Sequence, residues 1–441
     1  MPASALISVL ARSILSAKPQ VDDVQAHAAR TLGRPWKWLR PLATRYVEAF
    51  EGRTRPRHRD VIRFLLEDRG FQRACHRYRR EISVAEWLTD SQHMQPVATA
   101  ASWNVPAIAT TGDLADWLCL GISELEWLAD LKRLGYRLHG SKLRHYTYRV
   151  VAKRTGGLRV IEMPKRLIKE VQRRILIDIL QRIPPHPCAH GFVTGRSIAT
   201  FAAPHAGKRV LLRLDLQDFF PGCPAARVQA VFRTLGYPDN VASMLAGLCT
   251  NSVPCDVWSV PATAGDVRQA YEARGLYAER HLPQGAPTSP ALANVIAYRL
   301  DCRLAGLAKT AGASYTRYAD DLAFSGDDEF ARVVERFSTH VAAIALEEGF
   351  NVNHRKTRIM RQSRRQHLAG VVVNEAVSMP RRDLELLEAI LTNCVRFGPA
   401  SQNRENHPDF RAHLEGRIGF VQMVNRIKGQ RLRNLFENIR W

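Results

Sequence analysis

Several features that define other protein classes are missing from this chain of 441 residues. The eight cysteines are scattered and none forms a Cys-x-x-Cys pair, which argues against a disulfide framework or a paired zinc motif. No apolar run reaches the roughly 18 residues of a membrane helix, and residues 1–19 lack the apolar segment of a signal peptide. These absences predict a soluble, cytoplasmic protein without a membrane partner.

Acidic residues are scarce relative to basic ones. The chain has 64 Lys and Arg against 42 Asp and Glu, a net charge of +22. Such a surplus predicts a polyanionic partner, and nucleic acid is the usual one. The alternative is a soluble protein that happens to be basic. Hydrophobic residues make up 46% of the chain, so a folded core is expected rather than a disordered basic segment.

Residues 1–100 are predicted to form a basic helical extension. Apolar residues recur at helical spacing in Leu6–Leu15 and in Val61–Leu66. The stretch Arg34-Pro-Trp-Lys-Trp-Leu-Arg40 permits two interpretations. Its tryptophans and cations could form a nucleic-acid surface, or the tryptophans could pack inward, which we favour.

Strands and helices alternate through the middle of the chain. Ser123, with Glu126 three residues later, predicts a capping box at a helix start. Ala331–Glu348 is predicted to be a helix that ends at Gly349. From residue 381 onward the pattern returns to helix, with an interruption near residues 398–408. Runs rich in Val, Ile, Tyr and Leu predict a hairpin of the strands Tyr146–Ala152 and Leu158–Met163, with Arg154-Thr-Gly-Gly157 between them. Similar runs predict a buried strand over Val210–Leu216 and a second hairpin over Tyr315–Ser325.

Three aspartates lie where strands are predicted to end or turn. Asp215 ends one strand, and the pair Asp320-Asp321 lies in a hairpin far along the chain. Nucleotidyl transfer needs such carboxylates, because two Mg²⁺ ions hold the attacking and leaving oxygens and Mg²⁺ prefers oxygen ligands. The alternative is an ordinary exposed acidic turn. The apolar and aromatic residues on both sides of the pair argue against that alternative.

Four segments in order resemble the motifs of reverse transcriptases. Asp215–Phe220 resembles motif A, Leu282–Pro290 motif B, and Tyr318-Ala-Asp-Asp321 is similar to the motif C box. Gly349–Asn353, followed by Lys356, resembles motif D. The resemblance implies an α+β fold of the right-hand polymerase type, with fingers, a palm of antiparallel sheet plus helices, and a helical thumb. It also implies two-metal nucleotidyl transfer.

The resemblance assigns the metal site to the three aspartates. Asp215, Asp320 and Asp321 would be the catalytic carboxylates that hold two Mg²⁺ ions, with Mn²⁺ as a possible substitute. The backbone carbonyl of Leu216 would be a further ligand. An enzyme that keeps all three carboxylates is favoured over a catalytically idle RNA-binding protein with the same fold, and a template-independent nucleotidyl transferase is the remaining alternative.

Nucleotide-binding residues follow from the same resemblance. Phe220 matches the aromatic steric gate that crowds a ribose 2′-hydroxyl and selects dNTPs, with a core phenylalanine as the alternative. Gln284 and Gly285 would line the nucleotide and template pocket. Lys153 and Arg159 match the basic pair that grips the triphosphate.

Motif D supplies one further candidate. Lys356 could place positive charge near the leaving pyrophosphate, although a solvated lysine would show the same pattern.

Within the reverse transcriptases, the chain looks most like the bacterial retron enzymes. His190-Gly-Phe-Val-Thr-Gly-Arg-Ser197 precedes motif A, and the motifs are compactly spaced. The retron element Asn-Ala-x-x-His reads Phe201-Ala-Ala-Pro-His205 here, and the element Val-Thr-Gly reads Leu368-Ala-Gly370. These departures indicate a divergent branch with an N-terminal extension.

The retron resemblance implies a particular substrate and product. The enzyme would copy a structured noncoding RNA into DNA, starting from an RNA 2′-hydroxyl and giving branched RNA–DNA. It would act within an antiphage system, with an effector protein as a further partner. The alternative is a non-retron defence-associated or group II intron-like reverse transcriptase.

Further nucleic-acid contacts are predicted outside the metal site. Arg196 and His205 are candidates near motif A, with a structural histidine that caps a turn at Pro204 as the alternative for His205. Arg426 and Arg431 are candidates on a basic thumb helix that would follow duplex phosphates. The predicted domains are the extension (1–100), fingers (101–207), palm (208–378) and thumb (379–441).

Overall fold

The computed structural model describes residues 3–51, 56–79, 81–86, 93–137, 144–153, 157–259 and 267–441. The chain falls into two compact units, residues 1–183 with 224–280 and residues 184–223 with 281–441. The boundaries of these units differ from those of the four predicted domains. Helices and antiparallel sheets both occur, in agreement with the predicted α+β class.

The described elements follow one another along the chain. The helices are α1 (Ala3–Ser16), α2 (Val21–Thr31), α3 (Leu39–Ala49), α4 (His58–Glu67), α5 (Arg69–Arg77), α6 (Thr111–Leu118), α7 (Ile122–Ala129), α8 (Leu134–Arg137), α9 (Arg166–Asp178), α10 (Ile198–Ala202), α11 (Ala225–Thr234), α12 (Asp239–Cys249), α13 (Val267–Ala278), α14 (Ser289–Ile296), α15 (Tyr298–Thr310), α16 (Asp328–Glu347), α17 (Arg381–Phe397), α18 (Phe410–Val424) and α19 (Arg426–Glu437). The strands are β1 (Tyr146–Ala152), β2 (Leu158–Pro164), β3 (Val210–Gln217), β4 (Ser314–Tyr318), β5 (Asp321–Gly326), β6 (Asn351–Val352), β7 (Arg358–Arg361), β8 (His367–Leu368) and β9 (Val371–Val372).

Helices α1 to α5 form an N-terminal bundle in the first unit. Their apolar residues recur at helical spacing, so each helix has an apolar face that packs into one shared core. The centre of this core is fully buried and consists of aliphatic side chains such as Leu10, Ile14, Leu42, Val61 and Leu65. The predicted helical character of this region is confirmed.

The tryptophans between α2 and α3 pack inward. Trp36 is buried, and its ring centroid lies 4.9 Å from that of Tyr78 and 6.3 Å from that of Trp38. Arg34 and Lys37 are exposed, with the Arg34 guanidinium carbon 3.6 Å from the centroid of the Trp36 ring. The favoured interpretation of this stretch is confirmed.

The predicted hairpin of the first unit is present. Strands β1 and β2 pair antiparallel from Tyr146 opposite Pro164 to Ala152 opposite Leu158. Residues 154–156, which the prediction placed between the strands, lie outside the described residues. The predicted cap at Ser123 is wrong, because α7 begins at Ile122 with Gly121 at its N-cap position.

A five-stranded sheet forms the centre of the second unit. Strand β3 is its middle strand and is buried along most of its length, as its Val- and Leu-rich sequence predicts. On one side β3 pairs antiparallel with β5, which pairs with β4 across a tight turn. On the other side it pairs with the short strands β6 and β7. The hairpin predicted over Tyr315–Ser325 is therefore β4 and β5.

The C-terminal helices α17, α18 and α19 share a separate apolar core in the second unit. Helix α17 ends at Phe397 and α18 begins at Phe410, which confirms the predicted interruption. The side chains of Asp409 and Asn425 accept backbone N–H groups at the starts of α18 and α19. Across the described ranges, no helix combines the length and apolarity that crossing a bilayer requires.

Candidate active site

Strand pairing brings the three predicted carboxylates together. The register of β3 and β5 places Asp215 directly opposite Asp321. Asp320 precedes β5 in the turn after Ala319, whose φ of 55° is a left-handed conformation. The N–H of Leu216 donates to the carbonyl oxygen of Asp320 at 2.8 Å, so the backbones of the two motifs are joined directly. Rigid strands therefore hold residues that are distant in sequence at one position.

Two cationic side chains contact these carboxylates. Nζ of Lys356 lies 2.8 and 3.0 Å from the two carboxylate oxygens of Asp215. Arg213 donates to Asp321 from Nε at 3.0 Å and from Nη2 at 2.8 and 3.0 Å. Lys356 was predicted near the site. Arg213 was not, although its position two residues before Asp215 puts both side chains on the same face of a strand.

The electrostatics of the site show an excess of negative charge. Burial raises the pKa of Asp320 to about 6, with further increases from the neighbouring charges of Asp321 and Asp215. Burial also raises the pKa of Asp321, and the Arg213 guanidinium opposes that rise. Crowded carboxylates repel one another unless a cation joins them. The site therefore favours binding of a cation.

The donor set fits a divalent ion of the hard type. Carboxylate oxygens are the ligands that such ions prefer. In the described part of the chain, no three acidic, histidine or cysteine side chains already converge enough to enclose an ion. Lys356 and Arg213 instead contact Asp215 and Asp321. Metal binding at these carboxylates would therefore require local rearrangement of the two cations.

A buried ion pair supports the turn that carries Asp320. Arg317 and Asp301 are both fully buried, and Nε and Nη2 of Arg317 lie 2.8 and 2.6 Å from the Asp301 carboxylate. Nη1 of Arg317 donates to the carbonyl oxygen of Ala319 at 3.0 Å and to the side chain of Asn294 at 2.9 Å. This pair is not predictable from the sequence, because nothing in the local pattern distinguishes Arg317 and Asp301 from exposed charges.

The residues predicted around the incoming nucleotide are partly exposed. The ring of Phe220 is half-buried, 5.5 Å from the Phe219 ring between centroids. Oε1 of Gln284 is buried and has no hydrogen-bond partner among the described residues. Gly285 is exposed with a φ of 134°, which a residue with a Cβ rarely adopts. The gate and pocket roles stay predictions.

The predicted triphosphate-binding pair lies on the hairpin of the first unit. Arg159 is exposed on β2 opposite Val151. Lys153 follows β1, and its N–H donates to the carbonyl oxygen of Gly157 at 2.9 Å. Their role at the triphosphate stays a prediction.

His205 is not available to a nucleic acid in this structure. Its ring is fully buried, with Nδ1 2.6 Å from the Ser325 hydroxyl and Nε2 2.7 Å from the Thr316 hydroxyl. Burial lowers the pKa of His205 to about 3, so the ring is neutral at physiological pH. The buried ring does not support the predicted RNA contact. Its role here is structural, but it joins β4 and β5 through Thr316 and Ser325 and is not the turn cap at Pro204 that the alternative named.

The three predicted arginine contacts differ in their surroundings. Nη1 of Arg196 donates to the carbonyl oxygens of Pro187 and Ala189 at 2.6 and 2.5 Å, which fastens the loop before motif A. Arg426 is exposed at the start of α19. Arg431 is also exposed and forms an ion pair with Glu388 at 2.7 Å. Their contacts with nucleic acid stay predictions.

The two departures from the retron elements lie in a single apolar core. Phe201 and Leu368 are fully buried and belong to the same cluster, and the ring centroid of Phe201 lies 5.7 Å from that of Tyr318. Both substitutions therefore concern packing beneath the motif C turn.

The chain is similar to proteins of one known family. The family described as reverse transcriptase (RNA-dependent DNA polymerase) matches residues 151–373. The chain is 42% identical over 342 residues to the retron Mx65 reverse transcriptase of Myxococcus xanthus, an alignment that covers 76% of this chain and 73% of that protein. It is 34% identical to the retron Mx162 reverse transcriptase of the same species, over 72% of this chain and 64% of that protein.

A third relative, with a lower identity to this chain, is also a retron reverse transcriptase. Identity to the retron Ec86 reverse transcriptase of Escherichia coli is 30% over 292 residues, which covers 65% of this chain and 79% of that protein. These matches support the retron alternative over the non-retron one. Membership of the reverse transcriptase family implies a polymerase fold with palm, fingers and thumb, and dependence on a divalent metal. The chain therefore belongs to the retron reverse transcriptases, which are RNA-directed DNA polymerases.

Proposed function

We propose that this enzyme copies a structured noncoding RNA into DNA from a metal site built on Asp215, Asp320 and Asp321. Synthesis begins at an RNA 2′-hydroxyl and gives branched RNA–DNA. The product serves a retron antiphage system in the bacterial cytoplasm, together with an effector protein. The observation that carries the metal site is the pairing of Asp215 opposite Asp321, with Asp320 next to it in the turn.

The metal site is assigned to two Mg²⁺ ions, which Mn²⁺ can replace. Asp215, Asp320 and Asp321 supply carboxylate ligands, and the backbone carbonyl of Leu216 is a further one. Bound there, the two ions supply the positive charge that stabilises the attacking and leaving oxygens of the transfer. Burial raises the pKa of Asp320 to about 6, and the charges of Asp321 and Asp215 raise it further. This supports the assignment, because a bound cation stabilises a buried carboxylate that lies beside like charges.

The chain's own residues bind and orient the nucleotide. Lys153 and Arg159 bind the triphosphate, and the arginine fork can contact two oxygens at once. Gln284 and Gly285 line the nucleotide and template pocket, where Oε1 of Gln284, which has no hydrogen-bond partner in the described part of the chain, can accept a hydrogen bond. Once the Lys356 side chain has moved away from Asp215, it provides positive charge for the leaving pyrophosphate.

Phe220 sets the choice of sugar. Its half-buried ring lies five residues after Asp215, and it crowds the 2′-hydroxyl of a ribonucleotide. The product is therefore DNA.

The domains are assigned as predicted from the motifs. Residues 101–207 serve as fingers, 208–378 as palm and 379–441 as thumb, after the extension of residues 1–100. Arg196, Arg426 and Arg431 contact the nucleic acid, and the exposed charge of Arg426 suits phosphate.

The metal-site assignment is tested with the double variant Asp320→Ala plus Asp321→Ala. Incorporation of dNTPs on an RNA template with Mg²⁺ should fall by at least roughly a thousandfold, since several kcal/mol of charge stabilisation is lost. Binding of Mn²⁺, followed by its electron paramagnetic resonance signal, should weaken as well. This second measurement separates loss of metal from loss of template binding.

The chain offers a matched control in another pair of adjacent acids. Asp327 and Asp328 lie in the same unit, are exposed and form ion pairs with Lys208 and Arg209. Replacing both with alanine should leave activity and Mn²⁺ binding near wild-type values. Full activity in the Asp320 and Asp321 variant would contradict the site.

The branched product is tested on the nucleic acid that copurifies with the enzyme from its bacterial host. We expect a DNA joined to RNA through a 2′,5′-phosphodiester, which a debranching enzyme separates into two strands. A product that is linear before this treatment would remove the branched-priming proposal and leave the polymerase assignment intact.

A further inference from the structure

Phe192 has an unusual conformation for an aromatic residue. It lies in the loop that follows His190, its φ is 59°, and 55% of its surface is exposed. A bulky residue in the left-handed region is strained, and such strain persists only where neighbouring contacts hold it in place. A large exposed apolar ring also gains little from burial. Neither feature is expected of a residue that only fills the core.

The residues before Phe192 are fastened to the turn that carries the catalytic aspartates. The N–H of His190 donates to the carbonyl oxygen of Arg317 at 2.7 Å. The side chain of Asn294 donates to the carbonyl oxygen of Gly191 at 2.8 Å. A Cβ at Gly191 would lie 2.5 Å from the backbone nitrogen of Ala319, so only glycine permits this approach. The position of Phe192 is therefore fixed relative to Asp320.

The ring of Phe192 contacts two aromatic residues of the site. Its centroid lies 6.3 Å from that of Phe220 and 6.2 Å from that of Tyr318, both in tilted arrangements. Phe220 also contacts Phe219, at 5.5 Å in an edge-on arrangement. The Phe220 ring thus has the Phe219 ring and the Phe192 ring as aromatic neighbours.

We propose that Phe192 is a positioning residue for sugar selection, which holds the ring of Phe220 in the place where it crowds a ribose 2′-hydroxyl. This inference rests on the proposed gate role of Phe220. A gate excludes a 2′-hydroxyl only while its ring cannot turn aside. Without the Phe192 ring, Phe220 has space on that side, and a ribonucleotide is admitted more easily.

The test compares kcat/KM for dNTPs and rNTPs on an RNA template, using the full-length enzyme. Phe192→Ala should lower the preference for dNTPs about threefold to tenfold, the loss expected for one aromatic pair. The change should appear mainly as a lower KM for rNTPs. Phe192→Tyr restores a ring and should keep the wild-type preference.

A double-variant comparison separates an effect through Phe220 from a direct one. Phe220→Ala should relax sugar selection more than Phe192→Ala, and the double variant should match Phe220→Ala alone. Tyr298→Ala is the matched control, because Tyr298 is another exposed aromatic of the same unit, paired with His186. It should change neither selectivity nor the melting temperature.

Several results would overturn the proposal. Unchanged selectivity in Phe192→Ala, beside a relaxed Phe220→Ala, would show that the gate stands without Phe192. Additive effects in the double variant would show that Phe192 does not act through Phe220. Unchanged selectivity in Phe220→Ala would remove the gate and this role with it. In each case dNTP incorporation persists, so the polymerase function is not what has failed.

Discussion

Two regions of this basic chain use charged residues in opposite ways. In the second unit, Arg317 and Asp301 are fully buried beside the turn that carries Asp320, and Asp215 is nearly so. In the N-terminal bundle the core is apolar apart from a buried hydrogen bond between Thr31 and Ser13, and most ion pairs lie at the surface, although Asp68 is largely buried where it pairs with Arg45. Arg40 and Asp22, for example, are 65% and 84% exposed.

The difference reflects what each region has to hold. Burial of a charge costs free energy that its partner repays only with good geometry. In the second unit, the buried Arg317–Asp301 pair lies next to Asp320 and stabilises the left-handed turn at Ala319. In the bundle, the apolar faces of the helices supply most of the packing. Its exposed cations remain accessible to a polyanion.

The largest expected effect comes from breaking the buried pair. Arg317→Met should lower the free energy of unfolding by roughly 3–5 kcal/mol, because it leaves the Asp301 carboxylate buried without its cation. Arg40→Met in the bundle should cost less than about 1 kcal/mol, as expected for an exposed pair. Urea denaturation measures both, and hydrogen exchange at β4 and β5 locates the first effect. Equal losses would contradict the comparison.

A smaller effect is expected from the apolar core of the bundle. Leu42 is fully buried there, and Leu42→Ala should cost about 2–3 kcal/mol through lost burial and the cavity left behind. Hydrogen exchange should rise in α1 to α5 while the amides of β3 to β5 stay protected. Leu386→Ala, at an exposed leucine of α17, is the control and should change stability little. Loss of protection in the sheet would show that the two regions do not unfold separately.

Long periodic or buried segments were predictable from the sequence. The buried strand β3 and the hairpin of β4 and β5 follow from their apolar residues, and these elements carry the three aspartates. The Ser123 cap failed because glycine also serves as an N-cap, and the chain begins α7 two residues earlier than the capping box requires.

Side-chain partners across the sheet were not predictable in the same way. Arg317 contacts Asp301 because tertiary packing brings them together, and no spacing along the chain indicates the pair. The same holds for the hydrogen bonds of His205 with Ser325 and Thr316. The burial of His205 could not be inferred from its position after Pro204. The contact of Arg213 with Asp321 was predictable, because Arg213 and Asp215 are two residues apart and therefore lie on the same face of the strand.

The smallest expected effect concerns the charge of Asp320. In the metal-free protein the pKa of Asp320 is raised to about 6, so folding favours its protonated form. Stability is then highest below the ordinary carboxyl pKa and falls as the pH rises through about 6, where the crowded carboxylate ionises. Asp320→Asn cannot ionise. With a chelator present, the variant should be about 1–2 kcal/mol more stable than wild type at pH 7, and the difference should vanish near pH 4.

Urea denaturation between pH 4 and pH 7.5 measures this difference, with Asp22→Asn as the control that removes an exposed carboxylate of the bundle. Adding Mg²⁺ at pH 7 should stabilise wild type more than Asp320→Asn, because a bound cation offsets the repulsion among Asp215, Asp320 and Asp321. A variant that is less stable than wild type at pH 7 without metal would show that Asp320 supports the fold. A variant that is more stable than wild type would mean that the Asp320 charge destabilises the metal-free protein and serves to bind metal.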